Sequence, residues 1–335
     1  MRKPKIAITA GDAAGVGPEI IVKMFAKHDV TKNADLFVIG DLFPMLSAAR
    51  RISRKIAIKP ITSIKNISGD KNIINLLDMK ALKSREAPLA KAGAKPGKAS
   101  FLYIKKAIEL AMAKKIDAIV TAPINKHALH MAGIKYPGHT EILAKFTRTK
   151  KYAMMLLSEE LKVVLVTIHT SIKSVPGLIR KKPVFEIIKL TNDSLKKDFG
   201  TKVPRIAVAG LNPHAGEAGA FGTEEQRAIL PAIKQAQKSG INAEGPFPPD
   251  TIFHKVVKYK THDAVVVMYH DQGLIPLKLL GFENGVNVTL GLPIVRTSPD
   301  HGTAYDIAGT GTASELSILS ALKVAIEIAK NRKKV

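Results

Sequence analysis

The chain has 335 residues, of which 46% are hydrophobic and 24% are charged, and its formal net charge at pH 7 is +24. This length exceeds the size at which single hydrophobic cores usually stop growing, so we expect two lobes. With no cysteine and no apolar stretch near the ~20 residues of a membrane span, the composition excludes disulfides and thiolate metal ligands and argues against membrane insertion.

The positive charge is dispersed along the chain. Its densest groups, at 50–55, 180–182 and 330–334, contain no aromatic residues, and the chain has no Trp. The basic groups therefore lack the neighbouring aromatic side chains on which bases stack, which argues against nucleic-acid binding. A basic field of this kind attracts anionic substrates instead.

The N-terminal sequence, MRKPKIAITAGD, enters a strand without an apolar leader, which predicts a cytoplasmic protein. Downstream, β-branched runs alternate with segments of helical periodicity, which predicts an α/β fold. The predicted strands are Lys5–Ala10, Leu36–Gly40, Ala118–Thr121, Met154–Leu157, Val163–Ile168, Ile206–Ala209 and Val265–Met268. The predicted helices are Phe101–Lys114, Val184–Lys197, Thr223–Lys238 and Leu316–Lys330. The segment Arg85–Ser100 is typical of a loop.

The first strand leads into a glycine-rich turn, GDAAGVGPE, at residues 11–19. Its spacing matches neither the dinucleotide fingerprint G-x-G-x-x-G nor a P-loop. A tight strand-to-helix turn with Pro18 in the first helical turn explains most of the pattern. A role in lining a cleft is the alternative.

Three histidines each follow an apolar strand-like run: His169 after KVVLVTI, His214 after RIAVAGLNP and His270 after DAVVVMY. Ligands of open α/β sheets bind outside the carboxyl ends of the strands, so the three imidazoles are expected to converge. Three imidazoles with an open position are typical of a catalytic metal site, and such a site accepts Zn, Co, Ni, Mn or Mg. Strand capping by each histidine is the alternative. Asp271, next to His270, is a candidate to orient a ligating imidazole, and a solvated loop or helix-capping aspartate is the alternative.

A second glycine-rich cluster, DHGTAYDIAG, occupies residues 300–309. It resembles the segment with which isopropylmalate and isocitrate dehydrogenases hold the adenosine part of a nicotinamide cofactor. The resemblance implies NAD or NADP at this segment, and a simple loop before the last helix is the alternative. The candidate cofactor residues are His301, Gly302, Thr303, Ala304 and Asp306.

Further motifs lie in order along nearly the whole chain. They are GDAAGVGPE, VTAPINK, GHTE, TIHTSI, GLNPHAGE, PPDTIF, MYHDQGL and GVNVTLGLPIVRTSPDHGTAYDIAGTG. Together they resemble the 4-hydroxythreonine-4-phosphate dehydrogenase family of pyridoxal phosphate biosynthesis, although Ala13 stands where many members carry Pro. The resemblance implies a two-lobed isocitrate/isopropylmalate dehydrogenase-like fold with no Rossmann fingerprint and a cleft between the lobes. We expect a cofactor-associated lobe at 1–125 plus 297–335, and a lobe with metal, substrate and dimer contacts at 126–296.

The resemblance also implies a divalent metal on His169, His214 and His270, in active sites shared by a homodimer. The substrate contacts that it implies come from His139, Thr140, Lys278, Asn287 and Arg296. Such side chains suit a phosphomonoester that carries a carboxylate. Surface charge or helix capping is the alternative for single members, as for Thr140 before a helix at 141–147. Lys126 in VTAPINK is a further candidate, with a solvated lysine as the alternative.

The implied reaction is metal-dependent, NAD(P)-linked oxidation of 4-phosphooxy-L-threonine at C3, with decarboxylation to 3-amino-2-oxopropyl phosphate. Asp250 in PPDTIF is our candidate base, and a capping role for the helix at 251–257 is its alternative. Relatives that share these motifs act on 4-phospho-D-threonate or 4-phospho-D-erythronate. A metal-dependent phosphatase and a nucleic-acid-binding protein are the alternatives from other classes.

Overall fold

The computed structural model describes residues 2–83 and 86–334. Its strands are β1 (Lys5–Thr9), β2 (Asp35–Gly40), β3 (Ala57–Ile61), β4 (Ile73–Asp78), β5 (Ala118–Thr121), β6 (Ala153–Leu157), β7 (Lys162–Leu165), β8 (Ile206–Ala209), β9 (Ala243–Phe247), β10 (Ala264–Val267), β11 (Val286–Leu290) and β12 (Arg296–Pro299). Its α-helices are α1 (Gly17–Lys27), α2 (Leu42–Ile52), α3 (Ala94–Met112), α4 (Lys126–Met131), α5 (His139–Phe146), α6 (Val175–Leu178), α7 (Lys181–Lys197), α8 (Leu230–Lys238), α9 (Pro249–Tyr259), α10 (His270–Gly281) and α11 (Leu316–Arg332). The predicted α/β class is confirmed.

The chain divides into two compact units. The first comprises Met1–Lys150 with Leu292–Lys330, and the second comprises Lys151–Gly291 with Asn331–Val335. Residues 126–150, which the sequence analysis assigned to the second lobe, belong to the first unit because α4 and α5 pack against α3.

The first unit contains six strands in the order β3-β4-β2-β1-β5-β12, and every adjacent pair among them is parallel. The central strand β1 has an apolar middle, and Ile6, Ala7 and Ile8 are fully buried. Such continuous apolar strands are typical of a parallel sheet that is covered on both faces. The carboxyl ends of β1 and β5 therefore lie at the same edge of this sheet.

The second unit contains the strands in the order β11-β6-β7-β10-β8-β9. The strand β6 is antiparallel to both neighbours, and the pairs from β7 to β9 are parallel. Val163, Val265 and Leu274 belong to the buried core of this unit. Because β7 and β10 are parallel neighbours, the segments that follow them leave the sheet side by side.

All seven predicted strands form, but Val163–Ile168 ends early, at Leu165. The predicted loop was partly wrong, because α3 begins at Ala94 with Pro96 in its first turn, where proline is tolerated. Residue 85 lies outside the described residues. The first part of the predicted helix Thr223–Lys238 is a π-helix, Glu225–Ile229. Among the described residues, no helix combines the length and apolar character needed to cross a bilayer.

Candidate active site

Arg296 begins β12, and its guanidinium is buried in the first unit. The residue is 3% exposed, and its Nε and Nη2 donate to the Thr121 hydroxyl over 3.1 and 2.9 Å. Burial lowers the pKa of Arg296 to about 9, and the carboxylate of Glu141 opposes that shift. Arg296 therefore remains a cation at neutral pH, in a place where its attraction for an anion is weakly screened by water.

His139 and Thr140 occupy the first turn of α5. The His139 Nε2 atom is buried and has no hydrogen-bond partner among the described residues. Burial first, and the charge of Arg296 second, hold the pKa of His139 well below its usual value. The ring is therefore neutral, with one nitrogen available to a ligand. Thr140 is buried inside the helix, and Gly138 is the N-cap, so the capping alternative for Thr140 is wrong.

The side chains of Glu141 and Lys126 lie near Gly138, the N-cap of α5. A Cβ atom added at Gly138 would lie 3.6 Å from Glu141 Oε2 and 3.8 Å from Lys126 Cε. Lys126 begins α4, where Asn125 caps the helix by accepting from the Ala128 N–H over 2.9 Å. We name Thr121, Lys126, His139, Thr140, Glu141 and Arg296 the Arg296 cluster. Sequence reasoning missed Thr121 and Glu141, although Glu141 stands within the GHTE motif.

The two glycine-rich turns of the first unit are joined by hydrogen bonds. The Tyr305 hydroxyl donates to Asp12 Oδ2 over 2.8 Å, and the Ala14 N–H donates to Asp12 Oδ1 over 2.9 Å. The Val16 N–H donates to the Thr303 carbonyl over 3.0 Å. Burial raises the pKa of Asp12, although both hydrogen bonds to its carboxyl group oppose this. The candidate cofactor segment is thus fixed on the first glycine-rich turn.

The candidate cofactor residues have different exposures. Thr303 is buried, whereas His301, Gly302 and Asp306 are exposed, and Ala304 has a left-handed φ of 41°. A Cβ atom added at Gly15 would lie 2.8 Å from the Thr303 carbonyl oxygen, so only glycine permits this approach. Among the described residues, no atom outside Gly302 and its two chain neighbours lies within 4 Å of the Cβ position of Gly302. The backbone at Gly302 is therefore open to close approach by a bound cofactor.

In the second unit, His169 and His270 lie side by side after β7 and β10. Their ring centroids are 5.6 Å apart, and both rings line one surface pocket with Thr170, Ser171 and Asp271. His270 Nδ1 is 2.7 Å from Asp271 Oδ1, which is the hydrogen-bonding distance that an orienting carboxylate requires. A proton on Nδ1, shared with this carboxylate, leaves Nε2 as the ring atom able to ligate a metal.

Among the described residues, His214 does not complete a metal site with His169 and His270. Across the described parts of the chain, no three His, Cys, Asp or Glu side chains are arranged to hold a metal ion. The exposed His214 ring lies 6.1 Å from the Phe221 ring, centroid to centroid. Imidazole nitrogens suit a divalent cation chemically, and one chain brings two of the three histidines together.

His214 also begins an unusual stretch of backbone. Residues 214–218 have φ values of 51, 53, 87, 41 and 52°, all in the left-handed region. Each non-glycine residue there costs roughly 1–2 kcal/mol, and only Gly216 escapes that cost. Such a conformation persists only when the surrounding structure enforces it.

The other candidates lie in the second unit. Lys278 is exposed on α10, with its Nζ 5.4 Å from the Phe282 ring centroid. Asn287 on β11 has a buried Oδ1 with no hydrogen-bond partner among the described residues. Asp250 is exposed in the first turn of α9, whose N-cap is Pro248, so the capping alternative for Asp250 is wrong. The substrate candidates are therefore divided between the units.

Known proteins resemble this chain along its full length. It is 44% identical over 332 residues to the 4-hydroxythreonine-4-phosphate dehydrogenase of Trichlorobacter lovleyi, which covers 98% of this chain and 99% of that protein. It is 44% identical over 330 residues to the D-threonate 4-phosphate dehydrogenase of Salmonella typhimurium, covering 98% and 100%. The crystal structure of 4-hydroxythreonine-4-phosphate dehydrogenase from Klebsiella pneumoniae matches with a TM-score of 0.90 at 42% identity, covering 98% of this chain and 100% of that chain.

The α/β fold and these relatives define the class as a dehydrogenase, an oxidoreductase. Residues 32–325 match the family model described as pyridoxal phosphate biosynthetic protein PdxA, and the chain belongs to that family.

Proposed function

We propose that this chain catalyses the metal-dependent, NAD(P)-linked oxidation of 4-phosphooxy-L-threonine at C3, with decarboxylation to 3-amino-2-oxopropyl phosphate. The observation that carries the proposal is the buried cation of Arg296 near a neutral His139 whose Nε2 lacks a partner among the described residues. A substrate with anionic and hydroxyl groups satisfies both side chains at once. The similarity to relatives named for 4-phosphate substrates supports this class.

The side chains of the chain have separate tasks in this proposal. Arg296 and Lys278 bind anionic groups of the substrate, while His139, Thr140 and Asn287 exchange hydrogen bonds with it. The hydride leaves C3 for the nicotinamide, and the hydroxyl proton passes to a base, for which Asp250 is our candidate. The bond between C1 and C2 then breaks, carbon dioxide leaves, and a proton is added at C2.

The proposal assigns the divalent metal and the nicotinamide cofactor to different residues. His169, His214 and His270 would hold the divalent metal, with Asp271 keeping the Nδ1 proton of His270 in place. The segment 301–306 would hold NAD or NADP. When bound, the metal supplies charge stabilisation at the C3 oxygen and the nicotinamide supplies the hydride acceptor.

We assign the complete metal site to a homodimer. The helix α10, which begins at His270, exposes Ile275 and Leu279 by 61 and 85%, and its C-cap residue Phe282 is 77% exposed. Positions i, i+4 and i+7 share one helix face, and an exposed apolar stripe is typical of a protein interface. A second copy packed on this stripe would cover it and would supply the ligand that one chain does not bring to His169 and His270.

A second candidate is oxidation of D-threonate 4-phosphate by the same machinery. The Salmonella relative with that name favours it, since it is as similar to this chain as the Trichlorobacter relative. The two substrates share the phosphate and the oxidised hydroxyl, and they differ at C2, where one has an amine and the other a hydroxyl. The discriminating contact is therefore at C2.

The test is nicotinamide reduction by the purified protein, followed by absorbance, with each of three substrates. These are 4-phosphooxy-L-threonine, 4-phospho-D-threonate and 4-phospho-D-erythronate, each with added divalent metal and again after chelation. Metal-dependent turnover selective for the first supports the proposal, and preference for threonate supports the second candidate. Phosphate release without nicotinamide reduction, or no reaction with any substrate, would overturn both.

A matched pair of variants separates the metal site from general damage. His270→Ala is expected to stay folded and to lose nicotinamide reduction. His254→Ala, which changes an exposed histidine on α9, is expected to retain it. Undiminished turnover by His270→Ala would contradict the assignment of the metal.

A further inference from the structure

We propose that Glu225 is a positioning residue that holds the His214 loop, residues 210–222, in its metal-binding conformation. The inference rests on the proposed function, because it takes His214 as a metal ligand. Glu225 lies outside the residues assigned to substrate, cofactor or metal above.

The carboxylate of Glu225 is buried, at 3% exposure, against the start of the loop. Its Oε1 accepts from the backbone N–H groups of Leu211 and Asn212 over 2.7 and 2.8 Å. Its Oε2 accepts from the Asn212 side-chain amide over 2.9 Å. One carboxylate thereby fixes the two residues that lead into the turn before His214.

The same carboxylate also meets the middle of the left-handed run. Gly216 has φ of +87°, and a Cβ atom added there would lie 2.7 Å from Glu225 Oε2. Only glycine fits this position, because a side chain would collide with the carboxylate and would be strained in the left-handed region. Glu225 therefore contacts the loop on both sides of His214.

Neighbouring side chains secure this arrangement. Glu224 Oε2 accepts from the same Asn212 amide over 2.9 Å, and this hydrogen bond lowers the pKa of Glu224. Arg227 donates to Glu224 Oε1 over 2.9 Å and to the Pro176 carbonyl over 3.1 Å. The support of the loop thus extends to α6.

Backbone strain makes this support necessary. The left-handed run contains four non-glycine residues, His214 among them, and it would relax if its contacts were removed. Relaxation would rotate the His214 imidazole, since the φ of that residue is itself left-handed. Glu225 is also the first residue of the π-helix Glu225–Ile229, and such windings occur frequently at functional sites.

The test is the affinity of metal-free protein for Co²⁺, measured by calorimetry and by the visible absorption of the bound ion. Glu225→Gln keeps the size of the side chain but replaces one carboxylate oxygen by an NH₂ group. Leu211 and Asn212 supply only donors here, so the NH₂ group cannot accept from them and one hydrogen bond to the loop is lost. We expect its Kd for Co²⁺ to rise about 10-fold or more, with an altered absorption spectrum, as for the loss of other supporting groups around metals. Glu186→Gln, which neutralises a half-buried carboxylate 2.8 Å from Lys151 Nζ, is expected to keep the unsubstituted affinity and spectrum.

Glu224→Gln provides a second, milder variant that leaves Glu225 in place. We expect a smaller rise in Kd, and this variant decides the matter if Glu225→Gln does not fold. Unchanged Co²⁺ affinity and spectrum in whichever variant folds would overturn the positioning role, while leaving the proposed function intact. Failure of the unsubstituted protein to bind Co²⁺ would instead overturn the proposed metal site, and the inference with it.

Discussion

The Arg296 cluster and the three histidines differ in how far a single chain completes them. Arg296, Thr121 and Thr140 are buried, and His139 has a buried Nε2, so folding of the first unit fixes the polar groups of the cluster. His169 and His214 are exposed, and among the described residues no third side chain joins His169 and His270 around a metal. The proposed substrate-binding part is therefore preformed in one chain, whereas the described residues of one chain bring only two of the three proposed metal ligands together.

The largest expected effect comes from removing the cation of the preformed cluster. Arg296→Met is expected to lower kcat/KM by about 100-fold, because a hydrogen bond to a charged group contributes about 1.5–3 kcal/mol and Arg296 offers more than one. Steady-state kinetics with saturating metal measures this. If the Arg296 cluster and the three histidines act independently, Arg296→Met keeps the Co²⁺ affinity of the unsubstituted protein.

A surface arginine provides the control for this prediction. Arg205→Met removes an exposed ion pair with Asp263 and is expected to change kcat/KM little. Turnover by Arg296→Met at the level of Arg205→Met would remove Arg296 from the substrate site. Loss of Co²⁺ binding in Arg296→Met would show that the two parts are not independent.

An intermediate effect is expected at the junction of the glycine-rich turns. Tyr305→Phe removes the hydroxyl that donates to Asp12, so the cofactor segment is held less firmly. A lost hydrogen bond of about 1 kcal/mol corresponds to an approximately fivefold higher Kd for NADH, measured by fluorescence titration, with little change in kcat. Tyr103→Phe removes a similar bond to the buried Asp41 and is expected to leave the Kd unchanged. Equal Kd values for the two variants would contradict this prediction.

The remaining effect is on folding stability, with no change of binding or turnover required, and it depends on pH. The pKa of His139 is lowered in the folded chain, so below about pH 6.5 the unfolded chain takes up a proton that the folded chain does not. The free energy of unfolding therefore falls as the pH drops, by up to about 1.4 kcal/mol per pH unit for this group. Urea unfolding at pH 7.5, 6.5 and 5.5 is expected to show a shallower fall for His139→Gln.

An exposed histidine on α4 serves as the control for the pH series. His127→Gln is expected to retain the pH dependence of the unsubstituted protein. If His139→Gln behaves in the same way as His127→Gln, the imidazole of His139 is not a desolvated group.

The sequence predicted the parts of the fold that follow from local pattern. The apolar runs identified β1, β5 and β8, and the strand ends identified His169 and His270, which the structure places side by side. The strand β12 was missed because its sequence, RTSP, is polar although all four positions are buried. Its burial depends on pairing with β5, which is distant in sequence.

The contacts that support the His214 loop could not be predicted from the sequence either. The segment HAGEA contains one glycine, yet all five residues adopt left-handed backbone angles. The carboxylate that accepts hydrogen bonds from the backbone leading into this segment belongs to Glu225, which lies further along the chain, at the start of a helix. Only tertiary contacts reveal this relation, just as only they place Thr121 beside Arg296.

The hydrogen bond between Tyr305 and Asp12 has a consequence for the evolution of this family. These residues are 293 positions apart, and each supplies the polar group that the other contacts. A lineage that replaces Tyr305 with a residue lacking a hydroxyl leaves a buried carboxyl group with one contact fewer, which favours a compensating change at Asp12. Substitutions at positions 12 and 305 are therefore expected to occur together in related sequences, so that the two glycine-rich turns change in a correlated way.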